Sequence, residues 1–177
     1  MTPRSPLGFT HRPDDPRRND RKEAMKVGSH MDKIARLEAL RARLDPLGDF
    51  ELWFWAGMNA GTHAVNAALH QAGITEDEDV FAAQPGVYLV PQPDGSLRPC
   101  YRRLGDVLHV GRPKVEAPVP DDIAAMMHQM EVVEHYRDPC VRQGLQPTQA
   151  IVDECQGALD QCLQHLARRM RGGADGR

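Results

Sequence analysis

The chain has 177 residues, of which 41% are hydrophobic and 27% charged, and its formal net charge is −3. This length suffices for one domain with its own core, and the charge balance gives no support to nucleic-acid binding. No apolar signal sequence begins the chain, and residues 50–74 contain too many polar groups for a membrane span. The four cysteines form no CxxC pair, so neither a zinc knuckle nor a thioredoxin-like motif is indicated. We expect a cytoplasmic protein in which they are reduced.

Residues 1–30 differ from the rest, with seven Lys or Arg, four Asp or Glu and four prolines. This composition predicts a disordered basic leader. Met25 and Met31 are alternative start residues, and residues 28–31 also look like a cloning remnant. A basic tail can instead hold nucleic acid or an anionic lipid, so that interpretation stays open.

Apolar periodicity and capping residues predict four helices. We expect these helices from Ser29 to about Leu44, from Asp49 to Ala72, from Pro120 to about Arg137, and from Thr148 to Arg169. Between the second and third, a Pro-Asp-Gly turn at 93–95 predicts a small β-hairpin. The predicted fold is therefore mainly α: residues 31–177 form a four-helix bundle of two helical hairpins, with a hairpin insert at 80–118 in the long crossover connection.

The second predicted helix carries no charged residue between Glu51 and Glu76. Its polar side chains form one stripe within about 60° of arc, which we call the polar seam: Asn59, His63, Asn66 and His70. Neutral polar groups in a helical bundle can fix packing or a subunit contact. They can also line a ligand site, so both interpretations stay open for the seam.

A metal site is a further possibility for two of the seam residues. His63 and His70 share one face of the second helix, and the third predicted helix presents His128, Glu131 and His135 at i, i+3 and i+7. Facing helices with this spacing can hold one metal ion. However, the apolar stripe of the third helix leaves His128 and Glu131 toward water, so we favour a solvated face and expect no cofactor.

Residues 66–73 end the second predicted helix with small residues, a His and a Gly, and Arg137-Asp138 lies near the end of a late helix. This layout resembles the HEPN family of small helical domains. Many members are dimeric, metal-independent ribonucleases or toxin and antitoxin partners. Their signature is an Arg that is followed by a His after four to six intervening residues. No His lies at that distance after Arg137. Arg103 and His109 have that spacing, but in the hairpin region.

Our leading hypothesis is a non-catalytic helical bundle that forms a homodimer and binds a protein partner or small ligand through the polar seam. Arg137 would then contact an anion. One alternative is a HEPN-like ribonuclease, or RNA- or nucleotide-binding protein, that uses Arg103 and His109, or Arg137 with a His from another helix. Another is a His-rich metal-binding bundle.

Overall fold

The computed structural model describes residues 16–75, 81–84, 87–101, 105–107, 110–111, 115 and 117–172. This part of the chain is mainly helical, as predicted. Its four α-helices are α1 (Pro16–Arg41), α2 (Phe50–Gln71), α3 (Asp121–His135) and α4 (Gln149–Gly172), and a π-helical segment spans Arg137–Arg142. Within these ranges, no helix combines the length and the apolar character that crossing a membrane requires.

Helix α2 is the central element of the packing. It contacts α1, α3 and α4, while α3 also packs against α4. The largest fully buried apolar side chains come from α2, α3 and α4: Phe54, Leu69, Ile123, Met126, Met130, Leu159 and Leu166. Since α2 is covered by three other helices, its sequence is apolar on nearly every side.

Small residues let α2 approach α3 closely. Ala60, Ala64 and Ala68 are completely buried. A Cβ atom added at Gly61 would overlap Sδ of Met130, which is itself fully buried on α3. Gly61 therefore provides the space that the Met130 side chain occupies.

In the described residues that follow α2 and precede α3 in the sequence, there are three strands: β1 (Phe81–Gln84), β2 (Val87–Pro91) and β3 (Leu97–Tyr101). They form an antiparallel sheet in the order β1-β2-β3. Gly95 has a positive φ of 81° in the turn between β2 and β3. We predicted a small β-hairpin in this connection; the structure has a three-stranded sheet there instead, because β1 pairs with the other edge of β2.

The first helix begins earlier than predicted. Helix α1 starts at Pro16, so Ser29 lies inside the helix and is not its N-cap. Residues 16–30, which we assigned to a disordered leader, are helical, and residues 1–15 lie outside the described part of the chain. His30 consequently lies well inside α1, which packs against α2.

Candidate metal centre

Three imidazoles meet where α1 packs against α2. His30 comes from α1. His63 and His70 come from α2, where they are seven residues apart and share one face of the helix. The ring centroid of His30 lies 5.1 Å from that of His63 and 5.3 Å from that of His70. The apolar stripe of α1 turns His30 inward, since Ile34 follows it by four residues and is also buried.

A carboxylate from the loop at 105–107 joins two of these imidazoles. Oδ1 of Asp106 lies 2.7 Å from Nε2 of His70 and 3.4 Å from Nε2 of His30. One ligand atom from each residue of this His30–His70–Asp106 cluster lies within 4.8 Å of the others. The His30 and His70 side chains are 6% and 1% exposed, whereas that of Asp106 is 54% exposed. The cluster is therefore open to solvent on the Asp106 side.

The seam residue Asn66 holds this loop against α2. Its Oδ1 accepts a hydrogen bond from the backbone N–H of Val107 at 2.6 Å, and its Nδ2 donates to the Val107 carbonyl at 2.8 Å. Nδ2 also donates to the Thr62 carbonyl within α2. Asn66 is buried, and both polar atoms of its amide are hydrogen-bonded to Val107. This contact therefore fixes the position of Asp106, which is the residue before Val107.

The remaining ring nitrogens of the cluster also have partners. Nδ1 of His30 lies 2.9 Å from Nδ1 of His63, and Nδ1 of His70 lies 2.8 Å from Oγ1 of Thr75. Both buried imidazoles thus direct Nε2 toward the Asp106 carboxylate and hold Nδ1 in an outer hydrogen bond. Metal-binding histidines in proteins commonly have this arrangement, which fixes the tautomer and the orientation of the ring.

The electrostatics of the cluster favour an ionised carboxylate and a neutral outer imidazole. Partial burial raises the pKa of Asp106, but hydrogen bonds and charge interactions with His30 and His70 outweigh it and hold that pKa well below its ordinary value. Burial, together with His30 and Lys33, lowers the pKa of His63 to about 4. His63 is therefore uncharged at neutral pH and can accept a hydrogen bond at Nδ1.

Two imidazole nitrogens and one carboxylate oxygen suit a divalent first-row transition metal. Ligands about 2.0–2.1 Å from a tetrahedral ion lie roughly 3.3–3.4 Å from one another. The 3.4 Å between His30 and Asp106 fits this spacing. The 2.7 Å between His70 and Asp106 is a hydrogen-bond distance, so the exposed carboxylate would move by several tenths of an ångström to admit an ion.

The four seam residues have different surroundings in the structure. Asn59 is exposed and its Nδ2 donates to the Trp55 carbonyl of its own helix. His63 is half-buried beside His30, whereas Asn66 and His70 are covered by the 105–107 loop and α1. The structure thus brings the last three seam residues to one place, and it leaves Asn59 apart from them.

The candidate ligands on the third helix are not brought to His63 and His70. Among the described residues, the side chains that could hold a metal ion are His30 of α1, His70 of α2 and Asp106 of the 105–107 loop. This group contains none of His128, Glu131 and His135. Met126 and Met130 occupy the inner face of α3. His128 and His135 are consequently exposed.

The residues predicted for RNA cleavage do not form a described site. Arg103 and His109 lie outside the described residues. The Arg137 guanidinium donates to Oε1 of Glu134 at 2.9 Å and to Oδ1 of Asp138 at 3.3 Å. The Arg137 guanidinium, which we expected to contact an anionic ligand, is therefore paired with two carboxylates of its own chain.

Sequence reasoning missed His30, Thr75 and Asp106. His30 carried one available signal, since it extends the stripe of Ile34 and Leu37 toward the N-terminus at i−4 and i−7. Thr75 and Asp106 lie outside the helices, where no periodicity indicates their direction. Their place in the cluster depends on tertiary contacts that local patterns do not encode.

Comparisons of this chain with protein family models, with curated proteins and with solved structures found no match. The HEPN-like layout therefore stays a prediction. What the cluster binds has to be inferred from its own side chains.

Proposed function

We propose that this protein is a metal-binding four-helix bundle of two helical hairpins, which holds one divalent transition-metal ion between α1, α2 and the 105–107 loop. The ligands are Nε2 of His30, Nε2 of His70 and a carboxylate oxygen of Asp106. The observation that carries the proposal is their convergence, since their ligand atoms lie within 4.8 Å of one another although they come from three separate elements.

The outer hydrogen bonds strengthen this assignment. An imidazole that binds a metal through Nε2 must carry its proton on Nδ1. For His70, that proton has an acceptor in the Thr75 hydroxyl; for His30, the acceptor is Nδ1 of His63. The low pKa of His63 keeps that acceptor uncharged at neutral pH. Metal binding would displace the proton that Nε2 of His70 donates to the Asp106 carboxylate in this structure, and these outer acceptors would then hold each ring in the tautomer that binds the ion.

Three protein ligands leave coordination positions open. Sites of this kind in metalloenzymes hold a water or substrate in the free position, whereas structural zinc sites are closed by four protein ligands. The exposure of Asp106 leaves the free side accessible from solvent. The site therefore suits an exchangeable ligand and Lewis-acid chemistry better than a purely structural role.

The test is metal binding by the full chain, purified without a His tag and stripped with a chelator. Titration with Zn²⁺ against a chromophoric competitor should give one tight site per chain. His70→Ala and Asp106→Asn should each weaken this binding by roughly a hundredfold or more, because two ligands hold an ion far less tightly than three.

The matched control is His128→Ala, which removes an exposed imidazole that is not part of the cluster and should leave the titration unchanged. Circular dichroism of each variant checks that helix content is retained. Asp106→Asn changes an exposed loop side chain without changing its shape, so it reports on binding even where His70→Ala disturbs folding. A wild-type chain without a tight site, or equal affinity in Asp106→Asn, would refute the proposal.

The predicted homodimer or protein partner stays a prediction. Asn66 and His70 are covered within the chain, so a partner that uses the polar seam would reach only Asn59 and His63. The ligand-site interpretation of the seam is compatible with this burial, and in our proposal the ligand is the metal ion.

A further inference from the structure

The protein supplies three donors to the proposed ion. Among the described residues, no fourth His, Cys, Asp or Glu joins the His30–His70–Asp106 cluster. The second nitrogen of each imidazole has a protein partner instead, since Nδ1 of His30 lies 2.9 Å from Nδ1 of His63. Nδ1 of His70 likewise lies 2.8 Å from Oγ1 of Thr75. Because Nδ1 and Nε2 point in different directions from the ring, these partners lie away from the ion, and its remaining positions are left to water or an added ligand.

The three donors are gathered on one side of the ion. Two ligands on opposite sides of an ion, each about 2.1 Å from it, would be about 4.2 Å apart. The distances from Oδ1 of Asp106 to Nε2 of His70 and of His30 are 2.7 and 3.4 Å, well below this value. The ring centroids of His30 and His70 are 5.3 Å apart, whereas two opposed imidazoles would have centroids roughly 6.5 Å apart. No two of these three ligands are therefore opposed across the ion.

The distances from Asp106 fit an ion with six ligands. Neighbouring ligands about 2.1 Å from an octahedral ion are about 3.0 Å apart, compared with about 3.4 Å around a tetrahedral ion. A shift of the exposed carboxylate by about 0.3–0.4 Å toward His30 gives about 3.0 Å to both nitrogens. A tetrahedral ion requires a shift about twice as large, away from His70. Two histidines and one carboxylate with open positions are also the ligand set of non-haem Fe²⁺ sites.

We infer that this centre is six-coordinate, with its three protein ligands on one face, and that its open face binds a 2-oxo acid through the carboxylate and the neighbouring keto oxygen. The inference rests on the proposed metal site. A divalent ion with two neutral imidazoles and one carboxylate carries a net charge of about +1, which a singly charged organic anion neutralises. Carboxylate and carbonyl oxygens are suitable additional ligands for an ion of this kind.

A chelating ligand distinguishes several open positions from a single one. A 2-oxo acid needs two adjacent open positions, which a six-coordinate ion with three protein ligands offers and a four-coordinate ion does not. When both positions are available, the second oxygen binds at a high effective concentration, which raises the affinity by about 10²–10⁴. The His30 and His70 side chains are buried and that of Asp106 is exposed, so the ligand reaches the ion from the side of the carboxylate.

The experiment uses the full chain loaded with one equivalent of Co²⁺, whose visible absorption bands are weak for a six-coordinate ion and intense for a tetrahedral one. Pyruvate is the 2-oxo acid probe, and acetate is the matched ligand because it has the carboxylate without the keto oxygen. Both are titrated at constant ionic strength, so that screening stays the same. We expect weak bands and a change that saturates with pyruvate, at an apparent affinity roughly a hundredfold or more above that of acetate.

Two variants connect the response to the cluster. Asp106→Asn removes the charged ligand without changing the shape of the side chain, and it should lose both the bound-ion spectrum and the response to pyruvate. His128→Ala removes an exposed imidazole outside the cluster and should keep both.

Intense bands of a tetrahedral ion would overturn the inference, as would a spectrum that pyruvate does not change. Equal affinities for pyruvate and acetate, or a pyruvate response that persists in Asp106→Asn, would overturn it as well. A chain that binds no Co²⁺ would instead refute the metal site itself.

Discussion

The side-chain amide of Asn66 binds the backbone of Val107 through both of its polar atoms, as a neighbouring strand would. This contact joins α2 to the loop that carries Asp106, across 41 residues of sequence. The seam residue that we expected to touch a ligand therefore positions one of the ligand-binding groups instead.

Replacing Asn66 should destabilise both the fold and the site. Asn66→Ala leaves the N–H and carbonyl groups of the half-buried Val107 without their partner, and a buried polar group left unsatisfied costs about 1–3 kcal/mol. We expect the free energy of unfolding in urea to fall by about 2 kcal/mol or more, and Zn²⁺ affinity to fall with it. Asn59→Ala is the control, since Asn59 is exposed; an equal loss in both variants would contradict this role.

The hydroxyl of Thr75 should matter for metal affinity because it fixes His70. Thr75→Val keeps the shape of the buried side chain but removes the partner of Nδ1. Loss of such an outer contact commonly weakens metal binding by about 10–100-fold, whereas Thr75→Ser keeps the hydroxyl and should bind nearly as wild type. The competitive Zn²⁺ titration measures both, and wild-type affinity in Thr75→Val would show that the contact is not used.

The close approach of α2 and α3 at Gly61 predicts a destabilising substitution. A methyl group at this position overlaps Sδ and Cε of the buried Met130, and overpacking should outweigh the better helix propensity of Ala by about 1–2 kcal/mol. Gly157→Ala on α4, where an added Cβ meets no atom within 4 Å, should stabilise by about 0.5–1 kcal/mol. Thermal or urea unfolding measures both substitutions.

A double variant separates overpacking from other causes. In a Met130→Val background the overlapping atoms are absent, so Gly61→Ala should become neutral or stabilising there. Persistence of the full Gly61→Ala penalty in that background would show that Met130 is not its cause.

An ion pair between α3 and α4 predicts a pH dependence of stability. Nε and Nη2 of Arg169 donate to the two carboxylate oxygens of Asp122 at 2.7 and 2.6 Å, and these hydrogen bonds hold the pKa of Asp122 below its ordinary value of 3.8. A carboxyl group whose pKa is lower in the folded than in the unfolded state stabilises the fold at pH values above its unfolded-state pKa. This contribution is lost as the pH falls through the folded-state pKa.

Asp122→Asn should therefore lower the free energy of unfolding at pH 7 by about 0.5–1 kcal/mol, a modest value because the pair is partly exposed. The difference from wild type should shrink as the pH falls below about 4. Asp121→Asn shares the first turn of α3 and controls for the helix dipole. Urea unfolding at pH 7 and pH 3 tests this, and a difference that does not change with pH would contradict the assignment.

The helical part of the fold was predictable because its pattern is local. The apolar periodicity of α2 and α4 and the turn residues Gly73 and Pro120 indicated helices close to those in the structure. The start of α1 was not predictable in this way, since residues 16–21 have little apolar periodicity and a composition typical of disorder.

The candidate site was predictable only in part. The uncharged run of α2 indicated that His63, Asn66 and His70 face something other than bulk water. Which groups they face is decided by how α1 and the 105–107 loop pack against α2, and two residues 36 apart in sequence, His70 and Asp106, meet only in the folded chain. His128 and His135 had equally suitable spacing, but the packing of Met126 and Met130 turned them outward.

The most direct test of the proposed metal centre is to locate an ion in a crystal of the full chain grown with Zn²⁺, using anomalous scattering measured at the zinc absorption edge. We predict one strong peak per chain, about 2.0–2.1 Å from Nε2 of His30, Nε2 of His70 and a carboxylate oxygen of Asp106. An empty His30–His70–Asp106 cluster, with the imidazoles still hydrogen-bonded to the carboxylate, would contradict it.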